Sequence, residues 1–332
     1  MPSPAPVAAH PVVPTGPLPR NPGAPLDLDW VASLRVDRSA TERRAATLTT
    51  RRSVKGSAQA AWLLKAITLI DLTTLAGDDT PARVRRLCAK ARQPVRPELL
   101  TALGMADVPI TTGAVCVYHA MVPTAVAALA GSGVPVAAVS TAFPTGLTPL
   151  STRLAEIRAS VDAGAAEIDV VINRHQALAA DWPALFEEIR SFREACGPAH
   201  LKVILGTGEL GTLRTVARAS LVAMLAGADF VKTSTGKEAV NATLPVSLTM
   251  ARTIRAYAER TGLAVGFKPA GGIRTAKDAL AWMILMREEL GRRWLEPDLF
   301  RFGASGLLAD IERQLEHAVT GRYAALRKQP LA

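Results

Sequence analysis

Eight short apolar runs, each followed by an amphipathic segment, predict an α/β chain folded as a (β/α)8 barrel. Two details sharpen that expectation. Ionisable residues interrupt several runs at alternating positions, and glycine-rich turns follow the last three. A doubly wound open sheet is the competing arrangement, but no glycine-rich dinucleotide fingerprint follows the first run.

Residues 1–26 are so rich in proline that they read as a disordered arm, and the same prolines disfavour an amphipathic transit peptide. Residues 27–65 read as a basic, N-terminal helical extension covering one end of the body. The barrel is expected over residues 66–325, with a C-terminal tail at 326–332. Its strand candidates are ITLIDLTTL, AVCVY, VPVAAVSTAFP, EIDVVIN, HLKVILGTG, DFVKTSTG, AVGFKPAGG and LFRFGASG. Helical patterns lie between them. TPARVRRLCAKA opens with Thr80 as N-cap and Pro81 in the first turn, and PALFEEIRSFREAC sets Leu185, Ile189, Phe192 and Cys196 on one stripe.

Side chains alternate across a strand, so each run can be read for what it turns inward. In EIDVVIN, Ile168, Val170 and Ile172 share the face that meets the helices, leaving Glu167, Asp169, Val171 and Asn173 for the interior. The same parity turns Asp71, Lys202, Lys232 and Lys268 inward. A buried charge persists only with a partner, and charges near strand C-terminal ends sit where barrel enzymes keep their chemistry. Lys202 comes early in its strand and fits a structural ion pair. Lys232 and Lys268 come late.

The turns TSTGK, AGGIR and GASG follow strands six, seven and eight, where bare backbone N–H groups can approach a phosphate. Late barrel loops are a common place for such a site. The net charge of +10 would steer a phosphorylated small molecule; the basic residues are scattered and aromatics few, so no nucleic-acid partner is expected. No long apolar run and no signal-peptide pattern occur, which predicts no membrane association and a cytoplasmic location. Cys88, Cys116 and Cys196 lack paired or ligand spacing and read as reduced core thiols. His10, His119, His175, His200 and His317 show no close ligand spacing, so neither a metal nor another cofactor is expected. A homodimer is compatible with helix faces that do not separate a dimer patch from ordinary packing.

The stretches EIDVVIN, LKVILGTGEL, FVKTSTGKEAVNAT, GFKPAGGIRTAKDA and RFGASGLLADIE together resemble the deoxyribose-phosphate aldolases, over about residues 57–325; AAWLLKAITLIDLTTLAGDDT and HAVTGRYAA resemble their animal-type branch. That resemblance implies a TIM barrel and a class I, Schiff-base lyase cleaving 2-deoxy-D-ribose 5-phosphate to acetaldehyde and glyceraldehyde 3-phosphate. It implies Lys232 as the nucleophile, Lys268 as its cationic neighbour and Asp169 as the proton-relay carboxylate. For the substrate it implies Asp71, Thr73 and Cys116 in the pocket, and Gly236, Lys237, Gly271, Gly272, Gly303 and Ser305 around the phosphate, with Arg274 as a possible helper. Three departures stand out: Gly306 where a second hydroxyl residue is usual, His119 where a proline is common, and an ending RKQPLA without the terminal tyrosine that aids proton transfer in some members; Tyr323 reads first as an ordinary helix-face tyrosine and second as a substitute. Another Schiff-base phosphosugar aldolase, a transaldolase-like barrel and a non-catalytic binding barrel are the alternative readings.

Overall fold

A computed structural model describes residues 18–51 and 53–325, with residues 11 and 16. The tail at 326–332 and most of the expected disordered arm lie outside the described residues. Eight parallel strands form the sheet: β1 (Ile70–Thr73), β2 (Ala114–Tyr118), β3 (Val136–Ser140), β4 (Glu167–Val171), β5 (His200–Ile204), β6 (Phe230–Lys232), β7 (Gly266–Lys268) and β8 (Phe302–Ala304). They pair in the order β7-β6-β5-β4-β3-β2-β1-β8. Parallel bridges from Phe267 to Phe300 and from Ala270 to Gly303 join the two ends and close the barrel.

Thirteen α-helices accompany the strands among the described residues: α1 (Leu28–Ser33), α2 (Arg38–Arg51), α3 (Gly56–Thr68), α4 (Pro81–Arg92), α5 (Pro97–Ala102), α6 (Val122–Leu129), α7 (Leu150–Asp162), α8 (Arg174–Leu178), α9 (Trp182–Cys196), α10 (Leu213–Leu225), α11 (Leu244–Thr261), α12 (Ala276–Leu290) and α13 (Leu307–Thr320). Local signals set their starts. Thr80, Asp181, Thr212, Thr243 and Thr275 each accept a backbone N–H of the first turn, satisfying a donor that the helix leaves orphaned. None of the described helices is long and apolar enough to cross a membrane.

The expected alternation holds. Ile70, Leu72, Ile168, Val170, Val203, Val231 and Phe267 belong to the large core between sheet and helices, whereas Cys116, Ala137, Val139, Phe143, Val171 and Ile204 form a smaller apolar cluster inside the barrel.

Two readings need correction. Residues 67–68, taken as the start of the first strand, are the last turn of α3, because apolar Leu63, Leu64 and Ile67 continue a helical stripe up to the strand. Nor are residues 18–26 a loose arm. Asn21 is buried, its amide donating to the Met224 and Ala228 carbonyls at 2.9 Å each, its carbonyl accepting from Tyr257 and Gly23, and its own N–H reaching Asp229 at 2.8 Å. Arg20 donates to the Pro198 carbonyl and meets His200, so this segment covers the N-terminal ends of β5 and β6. An extended, proline-rich chain has few internal hydrogen bonds to lose, and one well-placed asparagine anchors it. The helical extension instead lies against the outer helices, where Arg44 pairs with Glu288 and Glu289.

Candidate active site

Inside the barrel, strand register stacks the charged residues into a network. Asp169 on β4 lies beside Lys202 on β5, and Lys232 on β6 lies beside Lys268 on β7. One carboxylate oxygen, Asp169 Oδ2, accepts from both Lys232 Nζ and Lys268 Nζ at 2.7 Å. Lys268 also bonds Asp71 on β1. Lys202 sits deeper, contacting Glu167, Asp71 at 3.2 Å and Asp169 at 3.3 Å, in line with its expected structural role. Beneath them Arg301 donates to Asp71 Oδ1 at 2.6 Å and Glu167 Oε1 at 2.9 Å. Every one of these residues is buried.

The network treats its members unequally. Burial opposes the charge on Lys268, but Asp169 and Asp71 outweigh it and raise its pKa above the usual lysine value. Burial, helped by the Lys268 ammonium, holds Lys232 below the usual value against the pull of Asp169. Burial also works against Asp169, yet Lys202, Lys232 and Lys268 together keep its carboxyl well below the normal range. The result is one depressed lysine touching a firmly ionised carboxylate. Cys116, on the inner face of β2, is a buried thiol whose pKa burial raises.

At the strand C-terminal ends, backbone replaces charge. Gly236 and Gly271 meet across the gap between the β6 and β7 loops, both at positive φ. A Cβ on Gly271 would lie 2.6 Å from the Asn241 side chain, so no other residue fits there undisturbed. Gly303 on β8 is as tight, a Cβ there lying 2.7 Å from that of Ala270 and 3.3 Å from Lys268 Cε, which brings the rim to the lysine. Gly306 is the N-cap of α13 and offers no side-chain cap, beside the exposed Ser305. Lys237 is exposed and reaches the Leu75 carbonyl at 3.2 Å; Thr73 is half-buried and donates to the Asp71 carbonyl. Arg274 is exposed ahead of α12.

Asp71, Asp169, Lys232 and Lys268 are thus brought together inside the barrel, with Gly236 and Gly271 meeting above them and Gly303 beside Lys268, whereas Tyr323 stands apart. It stacks on His317 at 4.4 Å, past the far end of the fourteen-residue α13, about 21 Å from the rim by helical rise. His119 turns away too, bonding Ser160. Sequence reasoning passed over two groups. Arg301 was readable, since it alternates with Phe300 and Phe302, which pack outward. Glu238 was not: its carboxylate accepts the N–H groups of Thr235 and Gly236 and the Thr235 hydroxyl at 2.8–3.1 Å, a turn that no periodicity announces.

Residues 65–309 match the DeoC/LacD family aldolase. The chain is 61% identical to deoxyribose-phosphate aldolase of Mus musculus over 312 residues, 93% of this chain and 98% of that one. It is 60% identical to the Homo sapiens enzyme over 314 residues, 94% and 99% of the two chains. A solved deoxyribose phosphate aldolase from Aeropyrum pernix, described as tetrameric, superposes with a TM-score of 0.58 at 24% identity, covering 84% of this chain and 98% of its own, a likeness of fold. With its barrel closed, its lysines on one carboxylate and its whole body matched, the chain belongs to the DeoC/LacD aldolase family.

Proposed function

We propose that this chain reversibly cleaves 2-deoxy-D-ribose 5-phosphate to acetaldehyde and D-glyceraldehyde 3-phosphate, through a Schiff base on Lys232. The observation that carries the reading is the pair of buried lysines sharing Asp169 Oδ2. A free lysine is neutral only about one part in a few thousand at pH 7, so an amine nucleophile needs its ammonium form disfavoured. Lys232 has that environment and Lys268 does not, because Lys268 answers to two carboxylates and Lys232 to one.

The steps follow. Neutral Lys232 Nζ adds to the C1 aldehyde, and loss of water leaves an iminium. The C2–C3 bond then breaks; its electron pair flows into the iminium to form an enamine, and the C3 hydroxyl proton leaves to the Asp169–Lys268 pair, directly or through a water. Glyceraldehyde 3-phosphate departs. A proton returned to C2 regenerates the iminium, which water hydrolyses to acetaldehyde and free Lys232. The inner apolar wall of Cys116, Val139, Val171 and Ile204 suits a two-carbon fragment, with Ile204 paired in register to Lys232. The rim of Gly236, Gly271, Gly272, Gly303 and Ser305, with Lys237, suits the phosphate. Asp71 and Thr73, on β1 with Thr73 paired in register to Cys116, would meet the sugar hydroxyls. The reaction draws on no cofactor, and its setting is the cytoplasm.

Reduction with sodium borohydride in the presence of deoxyribose 5-phosphate, followed by intact mass and peptide mapping, tests the reading. An adduct on Lys232 is expected, together with cleavage of the substrate. A folded protein that gives neither would refute it.

A further inference from the structure

The ion network extends past the groups that a substrate in the mouth could touch. Arg301 and Glu167 lie at its floor, 5% and 2% exposed, and contact neither Lys232 nor the rim. They are nevertheless joined to Lys232 by two relays. One runs Arg301–Asp71–Lys268–Asp169–Lys232, the other Arg301–Glu167–Lys202–Asp169–Lys232.

The charges can be counted. Lys202, Lys232, Lys268 and Arg301 face Asp71, Glu167 and Asp169, four cations against three carboxylates. With every group ionised the network holds one uncompensated positive charge out of water, and the loss of one proton balances it. Lys232 is the member that can give it up at least cost, since it alone among the cations answers to a single carboxylate. We propose that Arg301 and Glu167 are positioning residues that set the proton occupancy of Lys232 from below, Arg301 favouring the free amine and Glu167 opposing it. This rests on the reading of Lys232 as the nucleophile.

Direct field and relay agree in sign. Without Arg301, Asp71 and Glu167 draw harder on Lys268 and Lys202, which loosens those cations from Asp169 and leaves Asp169 to hold Lys232 as an ammonium. Without the Glu167 charge, Lys202 turns to Asp169 and weakens that hold. A charge within the Debye length in a partly desolvated interior moves such a midpoint by about one pH unit. The remaining groups facing the network are silent near neutrality: burial raises the Cys116 thiol, lowers His200 to about 4, and Arg20 at the His200 end stays charged.

The test follows iminium formation with acetaldehyde, a probe that has no phosphate and so ignores the rim. Trapping by cyanoborohydride, mapped to Lys232, is measured against pH. Glu167→Gln is expected to move the midpoint about one unit toward acid, Arg301→Gln about one unit toward alkali, and the double variant back to the parent value. Unmoved midpoints with lower amplitude, or shifts of the same sign, would overturn the proposal and leave the floor a structural strut. Should Arg301→Gln fail to fold, the isosteric Glu167→Gln decides alone, an unmoved midpoint refuting it. Absence of any Lys232 adduct in the parent protein refutes instead the functional reading beneath.

Discussion

The interior and the rim of this barrel handle charge in opposite ways. Inside, each charged side chain is buried and touches one of opposite sign, with Lys232 left the weakest partner. At the rim, glycines strip away side chains and present backbone to solvent, and the cations there, Lys237 and Arg274, are exposed. On the proposed reading, the interior changes the state of a protein group and the rim accepts charge that arrives from outside. Variants in the two regions should therefore fail differently, the first in bond chemistry and the second in binding of the phosphate.

The largest effect belongs to Lys232→Ala. No other lysine in the interior has a depressed pKa, so removing Lys232 should abolish the borohydride adduct and lower turnover by about four orders of magnitude or more, with circular dichroism unchanged. Substantial turnover in that variant would move the nucleophile elsewhere.

Lys268→Met is next. As the proposed nucleophile, Lys232 would react above its folded pKa, which burial and Lys268 depress; taking the ammonium away raises that value, so the free amine appears only at higher pH. The rising limb of the kcat/KM profile should shift toward alkali, with a loss of about a hundredfold to a thousandfold at pH 7 that narrows as pH rises. A uniform loss across pH would mean that Lys268 acts in proton transfer alone.

The interior was far more legible in the sequence than the rim, and for a physical reason. A strand's period of two is rigid, so the position of Asp169 between Ile168 and Val170, or Lys232 after Val231, decides its direction without knowledge of the neighbours. Arg301 could have been placed by the same rule. Parity does not say which of several inward charges will meet, because that depends on stagger between strands, and the sharing of Asp169 by two lysines emerged only from register. The loops have no period. TSTGK and AGGIR announce that backbone will be exposed, but not that Glu238 folds back onto its own turn. The arm misled for the opposite reason: its composition argues against a core, whereas its docking rests on a few specific hydrogen bonds, chiefly those of Asn21.

At the rim, Gly271→Ala adds a methyl group 2.6 Å from Asn241 at a backbone φ of +80°, so both loops must shift. The KM for deoxyribose 5-phosphate should rise about tenfold while turnover of unphosphorylated deoxyribose stays as it was. Equal losses on the two substrates would place this loop in service of the lysines instead, and dissolve the contrast between interior and rim.

Glu238 gives the smallest effect and the finest probe of that contrast. Its carboxylate takes the N–H groups of Thr235 and Gly236 together with the Thr235 hydroxyl, so a negative charge already sits at the one rim turn joined directly to Lys232 through its strand. A phosphate using the Gly236 N–H must displace that charge or bind beside it, and like charges at close range disfavour binding. In Glu238→Ala those donors are released. Inorganic phosphate should then inhibit more strongly, its inhibition constant falling about threefold to fivefold, while acetaldehyde trapping at Lys232 is unchanged because that probe carries no phosphate. Weaker inhibition would instead make Glu238 the strut that shapes the turn, its charge outweighed by the ordered backbone it holds in place.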